Sequence, residues 1–206
     1  MKLGWQIFSE SKRTGCAGYC GKSDMHMQIS VIIHCCGIVC NCADSNKLSG
    51  LTTGKKMGKI TEILGLAQQR AKDLNLPYQG ALKPEEAFEL MQSAPGAKLV
   101  DVRTRAEIDW VGRVPGAVEI EWAIYPGMKL NPNFMAAMEQ QVDKEALVMF
   151  LCRSAHRSHT AASVATQSGY SNCYNVLEGF EGDKTPGKQR NLLNGWRLKG
   201  LPWEQS

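Results

Sequence analysis

Seven consecutive residues, Cys152-Arg153-Ser154-Ala155-His156-Arg157-Ser158, combine a nucleophile with the makings of an anion-binding loop. The cysteine follows an unbroken apolar run, Ala146 to Leu151, and precedes small residues at helical spacing, Ala161, Ala162, Val164 and Ala165. The order is therefore buried strand, cysteine, short polar loop, helix. Such an order points backbone N–H groups and a helix N-terminus at one sulfur atom. Arg153 and Arg157 add positive charge. Each feature favours thiolate over thiol, and the thiolate is the nucleophilic form. The competing reading is a structural cysteine at a strand end, because free cysteine is among the most buried residue types.

The elements that would position this loop follow from periodicity and turn chemistry. Ile60, Ile63, Leu64, Ala67, Ala71 and Leu74 predict an amphipathic helix over residues 59–74. Leu76 to Leu82 reads as a short edge strand, and Lys83-Pro84-Glu85-Glu86 starts a helix running to about Gln92. Strands are expected at Leu99 to Arg103, Ala117 to Trp122, Ala146 to Leu151 and Asn172 to Leu177. The third of these is continuously apolar, as a central strand covered on both faces requires. Helices are expected at Arg105 to Val111, after Asn131-Pro132 with Phe134, Met135 and Met138 inward, at Arg157 to Gln167, and at Leu192 to Lys199. Alternating strands and helices argue an α/β fold with helices on both faces of the sheet. Ligands then bind at the carboxyl ends of strands, where Cys152 lies.

Residues 98–203 resemble a single-domain rhodanese. The Cys-Arg-Ser-x-x-Arg-Ser loop is similar to that family's active-site loop. Leu99-Val100-Asp101-Val102-Arg103-Thr104 with Glu107 resembles its strand-and-turn signature, and Val114-Pro115-Gly116-Ala117 resembles its Gly-His-Ile-Pro-Gly-Ala segment. Leu177-Glu178-Gly179-Phe180 and Gly195-Trp196 resemble the parts that close the site. Arg113 stands where the family commonly has histidine. The resemblance implies a three-layer fold around a mainly parallel five-stranded sheet. It also implies a sulfurtransferase without cofactor, in which Cys152 carries a sulfane sulfur as a persulfide. A thiosulfate-type small molecule would be the donor, and cyanide, a thiol or a protein in a sulfur relay the acceptor.

In that chemistry the terminal sulfur of the persulfide is anionic, and the amides from Arg153 to Ser158 can donate to it. The expected substrate-binding set is Arg153, Ser154, Ala155, His156, Arg157 and Ser158. Arg157, at the junction of loop and helix, is the expected contact for an anionic substrate, whereas Arg153 reads equally as a solvated side chain. His156 is expected to contribute its backbone and expose its ring. His159 has a structural position on the first helical turn, and Ser158 is expected to cap the helix. Asp101 must be paired if it points inward from its apolar strand, by loop amides or an arginine, and supports the site from behind. Cys173 reads as a packing residue rather than a resolving thiol.

Two rivals remain. One is a cysteine-dependent phosphatase or arsenate reductase, which uses Cys-x5-Arg; here four residues separate Cys152 from Arg157, a shorter cradle that suits a single sulfur. The other is a non-catalytic binding module of the same fold, in which the cysteine is usually missing.

Charge and cysteines divide the 206-residue chain near Met57. Residues 1–56 carry seven Lys/Arg and three Asp/Glu, and residues 57–206 carry 17 of each. The net charge of +4 thus belongs to the N-terminal segment and gives no basic nucleic-acid face to the domain. Six of the eight cysteines, at 16, 20, 35, 36, 40 and 42, also precede Met57, and only Cys152 and Cys173 follow it. Residues 57–206 therefore read as a cytoplasmic domain without a disulfide framework, and no apolar run is long enough for a membrane span. Residues 1–56 are expected to be an unstructured Cys-rich extension, with Ser49 to Lys56 as linker and Met57 as an alternative start of translation. Their cysteines, with His26 and His34, fit zinc-knuckle spacing only in part, so no metal is expected.

Overall fold

A computed structural model describes the backbone of residues 47–205 and the side chains of residues 58–205. The cysteines at positions 16 to 42, the metal reading attached to them and the alternative start all rest on residues outside or at the edge of that range. The element order is α1 (Lys47–Asp73), β1 (Gly80–Leu82), α2 (Pro84–Ser93), β2 (Lys98–Asp101), α3 (Arg105–Val111), β3 (Val118–Glu119), β4 (Ala123–Ile124), β5 (Lys129–Leu130), α4 (Phe134–Gln141), β6 (Leu147–Leu151), α5 (His156–Gln167) and β7 (Asn172–Val176).

Five strands form one sheet in the order β1-β7-β6-β2-β3, with every pairing parallel. This is the expected α/β architecture. β6 lies at the centre and β1 at an edge, as the apolar run and the short flanking strand imply. Successive β6 side chains alternate between the faces, as the period of a strand requires. Val148 and Phe150, followed by Cys152, pack with Phe134 and Met138 of α4 and Ala161, Ala162 and Ala165 of α5. Met149 and Leu151 pack on the other face with Ile63 and Ala67 of α1 and Ala87 and Leu90 of α2. The small residues of α5 let its backbone approach the sheet, which brings the helix N-terminus close to the end of β6.

Two expectations are corrected, and one element is new. Residues 49–56, read as linker, are helical as part of α1. Once residues 59–73 form turns, each added residue costs only propagation, and the glycines and threonines here weaken a helix without forbidding it. Leu192 to Lys199 is a succession of bends and turns instead of a helix. Gly195 has φ +109°, and a Cβ there would lie 2.6 Å from the Gly182 nitrogen. The helix-like spacing of Leu192, Leu193 and Trp196 arises because Trp196 is buried while both leucines are exposed. The β4–β5 hairpin was not expected; its two-residue strands are too short to show a period.

Asp101 ends β2 rather than sitting at its middle, and it is 1% exposed. Its carboxylate accepts from the Arg103 backbone (3.1 Å), from Nε (2.9 and 3.0 Å) and from Nη2 (2.6 Å). Arg103, fully buried, also donates to the Gly112 carbonyl and stacks 3.9 Å from the centre of the Phe180 ring. The charge that pairs Asp101 is therefore two residues away in sequence. Asp101→Asn should destabilise the protein by about 3–5 kcal/mol, because it strands a buried guanidinium. The double replacement Asp101→Leu with Arg103→Met should recover most of that loss, since apolar side chains leave no charge to desolvate. Urea denaturation of both variants checks the contrast.

Candidate active site

Cys152 follows the last residue of β6 and is 1% exposed. Its carbonyl accepts from Phe180 N (2.8 Å), and the Arg153 carbonyl accepts from Glu181 N (3.0 Å) and Gly182 N (3.2 Å). The start of the loop is thus stapled to the segment after β7. Gly179 makes this possible. It has φ +71°, and a Cβ there would lie 2.6 Å from three backbone atoms, Cys152 O, Arg153 C and Ser154 N.

The loop then turns at Ala155, which adopts a left-handed conformation (φ 67°) one residue before α5 begins. A left-handed residue beside a helix start is a common backbone route to an anion-binding concavity. The Ala155 carbonyl is held by Asn175 Nδ2 (3.3 Å) and by His159 N (3.0 Å). Among the described residues, no hydrogen bond takes a donor from the backbone amides of residues 153 to 158. The six consecutive amides that follow Cys152 therefore have their donors unspent.

The side chains of the loop divide sharply. Ser158 is fully buried, and its hydroxyl donates to the Cys152 sulfur at 3.2 Å. It makes no capping bond, which corrects the expectation of a helix cap; Ala155 occupies the cap position instead. His156 is exposed, with Nδ1 2.9 Å from the Ser154 carbonyl, a position compatible with a backbone contribution from this residue. Ser154 and Ala155 are partly buried and line a cleft of about 440 Å³ together with His156 and Asn175. His159 is tied to Tyr78, whose hydroxyl lies 2.8 Å from Nδ1. Cys173, on β7, is buried, and burial pushes its thiol up to about 11 despite a hydrogen bond to Thr166 that works the other way.

Arg157 departs most from expectation. Both its terminal nitrogens donate to Glu107, each at 2.7 Å, so the guanidinium is engaged by a carboxylate rather than open to an anionic substrate. Glu107 is also the far half of a capping box. Its Oε2 accepts from Thr104 N and Oγ1, both at 3.0 Å, while its own amide donates to Thr104 Oγ1. Burial alone would raise the Glu107 pKa. The hydrogen bonds and charge of Arg157, with those of Thr104, outweigh it and hold the carboxyl at about 2. Burial lowers the Arg157 pKa, but Glu107 outweighs it, helped by the charges of Cys152 and Asp101, and the result is raised. Arg153 is the more exposed cation of the pair: its side chain is 45% exposed and its Nε lies 3.9 Å from Glu107. The Thr104-x-x-Glu107 spacing signals a capping box in the sequence, but nothing local signals a partner 50 residues away. Arg113, at the position where histidine is usual, pairs with Asp109 (2.7 Å) and Glu119 (3.5 Å).

The ion pair has a pH signature. The Glu107 pKa is depressed from 4.5 to about 2, so its contribution to stability is present above about 4.5 and is lost as pH falls toward 2. Glu107→Gln should cost about 2–3 kcal/mol at neutral pH, somewhat below the cost of breaking a fully buried pair. The gap from the parent protein should close as pH falls through that window. Urea midpoints measured across the acid range check both the size and the sign.

A family model for the rhodanese-like domain matches residues 84–185. An uncharacterized protein of Rickettsia conorii, RC0915, is 37% identical over 123 residues, covering 58% of this chain and 92% of the relative. The crystal structure of Rv0390 from M. tuberculosis is 41% identical, covers 63% of this chain and 99% of its own, and superposes with a TM-score of 0.58. The rhodanese-like domain-containing protein 14 of Arabidopsis thaliana, a chloroplastic protein, is 24% identical over 174 residues, covering 68% of this chain and 67% of the relative. The family match contains four of the five strands of the parallel sheet, the Cys152 loop, Glu107 and the Gly179 clamp, and by these the chain belongs to the rhodanese-like domain family.

Proposed function

We propose that the protein is a sulfurtransferase that moves a sulfane sulfur through a persulfide on Cys152. The observation that carries this reading is the environment of one sulfur atom: Ser158 donates to it, and six unspent amides belong to the loop around it. The thiolate attacks the outer sulfur of the donor, the donor's S–S bond breaks, and its electron pair leaves with the remainder of the donor. Cys152 is then left with a terminal anionic sulfur, one atom longer than before. Amides and a hydroxyl suit that small anion. An acceptor thiolate or cyanide attacks the terminal sulfur and regenerates the Cys152 thiolate.

Arg153 can meet the anionic part of the donor because its head is half exposed. Arg157, bonded to Glu107, holds the loop and contributes positive charge near the sulfur without contacting substrate. Asp101 is a further step removed, since it fixes Arg103 and the end of β2. No helix among the described residues is long and apolar enough to cross a membrane.

Thiosulfate should transfer sulfur to cyanide in the presence of the protein. Cys152→Ser should abolish the reaction, because a serine hydroxyl neither ionises near neutral pH nor holds a sulfane sulfur. Cys173→Ser should keep most of it, since that thiol is buried and protonated. Mass spectrometry after thiosulfate treatment should find one added sulfur atom on Cys152. Substantial turnover by Cys152→Ser would refute the mechanism.

A second expectation concerns the clamp. Gly179→Ala should lower turnover on the order of 10-fold or more by displacing the loop backbone, as misplaced catalytic groups typically do. Initial rates and the thermal unfolding of this variant separate a shifted loop from an unfolded protein.

A further inference from the structure

The cleft of about 440 Å³ that borders the cysteine loop has no part in the sulfur chemistry. Leu74, Leu76 and Leu177 give it apolar walls, and Ser154, Ala155 and His156 close one side from the loop. Cys152 is not among its walls, so an occupant is not placed to react with the sulfur. The volume falls within the range of ligand pockets, about 300–1,000 Å³.

Three side chains in the same wall, Asn175, Tyr78 and His159, form a hydrogen-bonded chain. Asn175 is 3% exposed, and its Nδ2 donates to the Ala155 carbonyl at the left-handed turn of the loop (3.3 Å). Burial pushes the Tyr78 hydroxyl up to about 12, against a hydrogen bond from Asn175 that works the other way. A bond that eases ionisation is one donated to the oxygen, so it comes from the same Nδ2. The phenol stays protonated at neutral pH, and its proton is left for His159 Nδ1, 2.8 Å away. That assigns the ring hydrogen of His159 to Nε2, which makes no hydrogen bond among the described residues. Asn175 Oδ1 has no partner among the described residues either. A buried acceptor without a donor is costly to maintain. The cleft therefore offers one unmet acceptor and one ring N–H beside apolar walls.

We propose that this cleft is an effector site for a neutral molecule of about one ring that carries a carboxamide or a like pairing of N–H with C=O. The N–H meets Asn175 Oδ1, the C=O meets His159 Nε2, and the ring lies against the leucines. A carboxylate lacks the hydrogen that Oδ1 requires, and a hydrocarbon leaves both polar groups unmet. The ligand is not a reactant, and no covalent bond forms or breaks there. Its effect reaches the sulfur through Asn175, which holds the loop at Ala155, three positions after Cys152. A persulfide adds an atom that the loop must accommodate, and an occupied cleft restrains the loop at that turn. Binding in the cleft is independent of sulfur transfer; only this coupling rests on that reading.

The test titrates benzamide into the isotope-labelled full chain and follows the amide signals by nuclear magnetic resonance. Those of Ser154, Ala155, His156 and Leu177, with the side-chain amide of Asn175, should shift saturably, with a Kd on the order of 1 mM for a ligand of this size. Methyl benzoate keeps the ring and the carbonyl but has no N–H. It should bind about 10-fold more weakly, since Oδ1 then stays unmet. Thr160→Trp sets a ring in the cleft from an exposed position on its wall. That variant should abolish the shifts while its thermal midpoint barely moves, as a surface substitution predicts. Replacing Asn175 itself would release the Ala155 carbonyl, so its acceptor is probed from the ligand side. In thiosulfate:cyanide assays, saturating benzamide should lower kcat by about 5-fold and leave KM for thiosulfate unchanged. No saturable shift, shifts that persist in Thr160→Trp, or equal affinity for the two ligands would overturn the proposal. A rise in KM alone would place benzamide in the donor's position and overturn it as well. Unchanged kcat and KM with binding intact would overturn the effector role. If Cys152 takes up no sulfur from thiosulfate, the sulfurtransferase reading falls, and the titration alone decides whether the cleft binds.

Discussion

The carboxylate of Glu107 joins the two halves of the site. It belongs to the first turn of α3, where it completes a capping box with Thr104, and it reaches across to hold both nitrogens of Arg157 in the first turn of α5. The N-termini of two helices, following β2 and β6, are thereby locked to one another at the carboxyl end of the sheet. The cysteine loop lies between β6 and α5, so its far end can move only if this pair yields. Its near end is fixed independently, by amides of residues 180–182 on the carbonyls of Cys152 and Arg153. A partly buried ion pair is a weak device for stability and a good one for fixing geometry, because its two parallel hydrogen bonds admit few arrangements.

That lock separates two roles that a pair of arginines in one loop would otherwise share. Arg157 gives up its hydrogen bonds to Glu107 but keeps an electrostatic influence at Cys152 and Asp101. Arg153 stands 3.9 Å from the same carboxylate, a looser pair, and retains a half-exposed head. One cation is fixed with the loop, and the other faces solvent beside it. The hydroxyl on the sulfur is supplied by Ser158, whose complete burial prevents it from turning to solvent. Three polar side chains within six residues thus take three different environments, and it is the partners brought by α3 and by the segment after β7 that distinguish them.

The sequence made the scaffold legible where a single physical signal dominated. The apolar run into Cys152 marked the central strand, and Pro84 with the acids after it marked α2. It misled where a pattern had two causes. Leu192 to Lys199 was expected as a helix, yet Trp196 is buried while Leu192, Leu193 and Leu198 are exposed, and Gly195 takes a positive φ where a Cβ would meet Gly182, which no local pattern encodes. Within the site, Cys152 and the role of the loop backbone were readable from order and composition. The partner of Arg157 was not, because an arginine beside a nucleophile looks like a substrate contact until the carboxylate 50 residues away is seen. The same holds for Ser158: a serine in a first helical turn is ordinarily read as a cap, and only the return of the sulfur beneath it gives its hydroxyl another acceptor.

The proposed preference for sulfur over phosphate as cargo draws on this same geometry as much as on loop length. A phosphoryl group brings three charged oxygens, and a cysteine enzyme that accepts it needs a guanidinium free to fork across two of them. In this loop the guanidinium nearest the helix start is already forked onto Glu107, and the next position is a serine turned to the sulfur. What the loop leaves unspent is a run of single amide donors around a sulfur that is 1% exposed. Single amide donors in a loop of this kind suit one added atom with one negative charge. In the proposed reaction the half-exposed Arg153 acts on the part of a donor that leaves rather than on the atom that is transferred. That proposal has a small anion stay on the cysteine while a larger anion departs, a division of labour that the two arginines, one bonded to Glu107 and one half exposed, can serve.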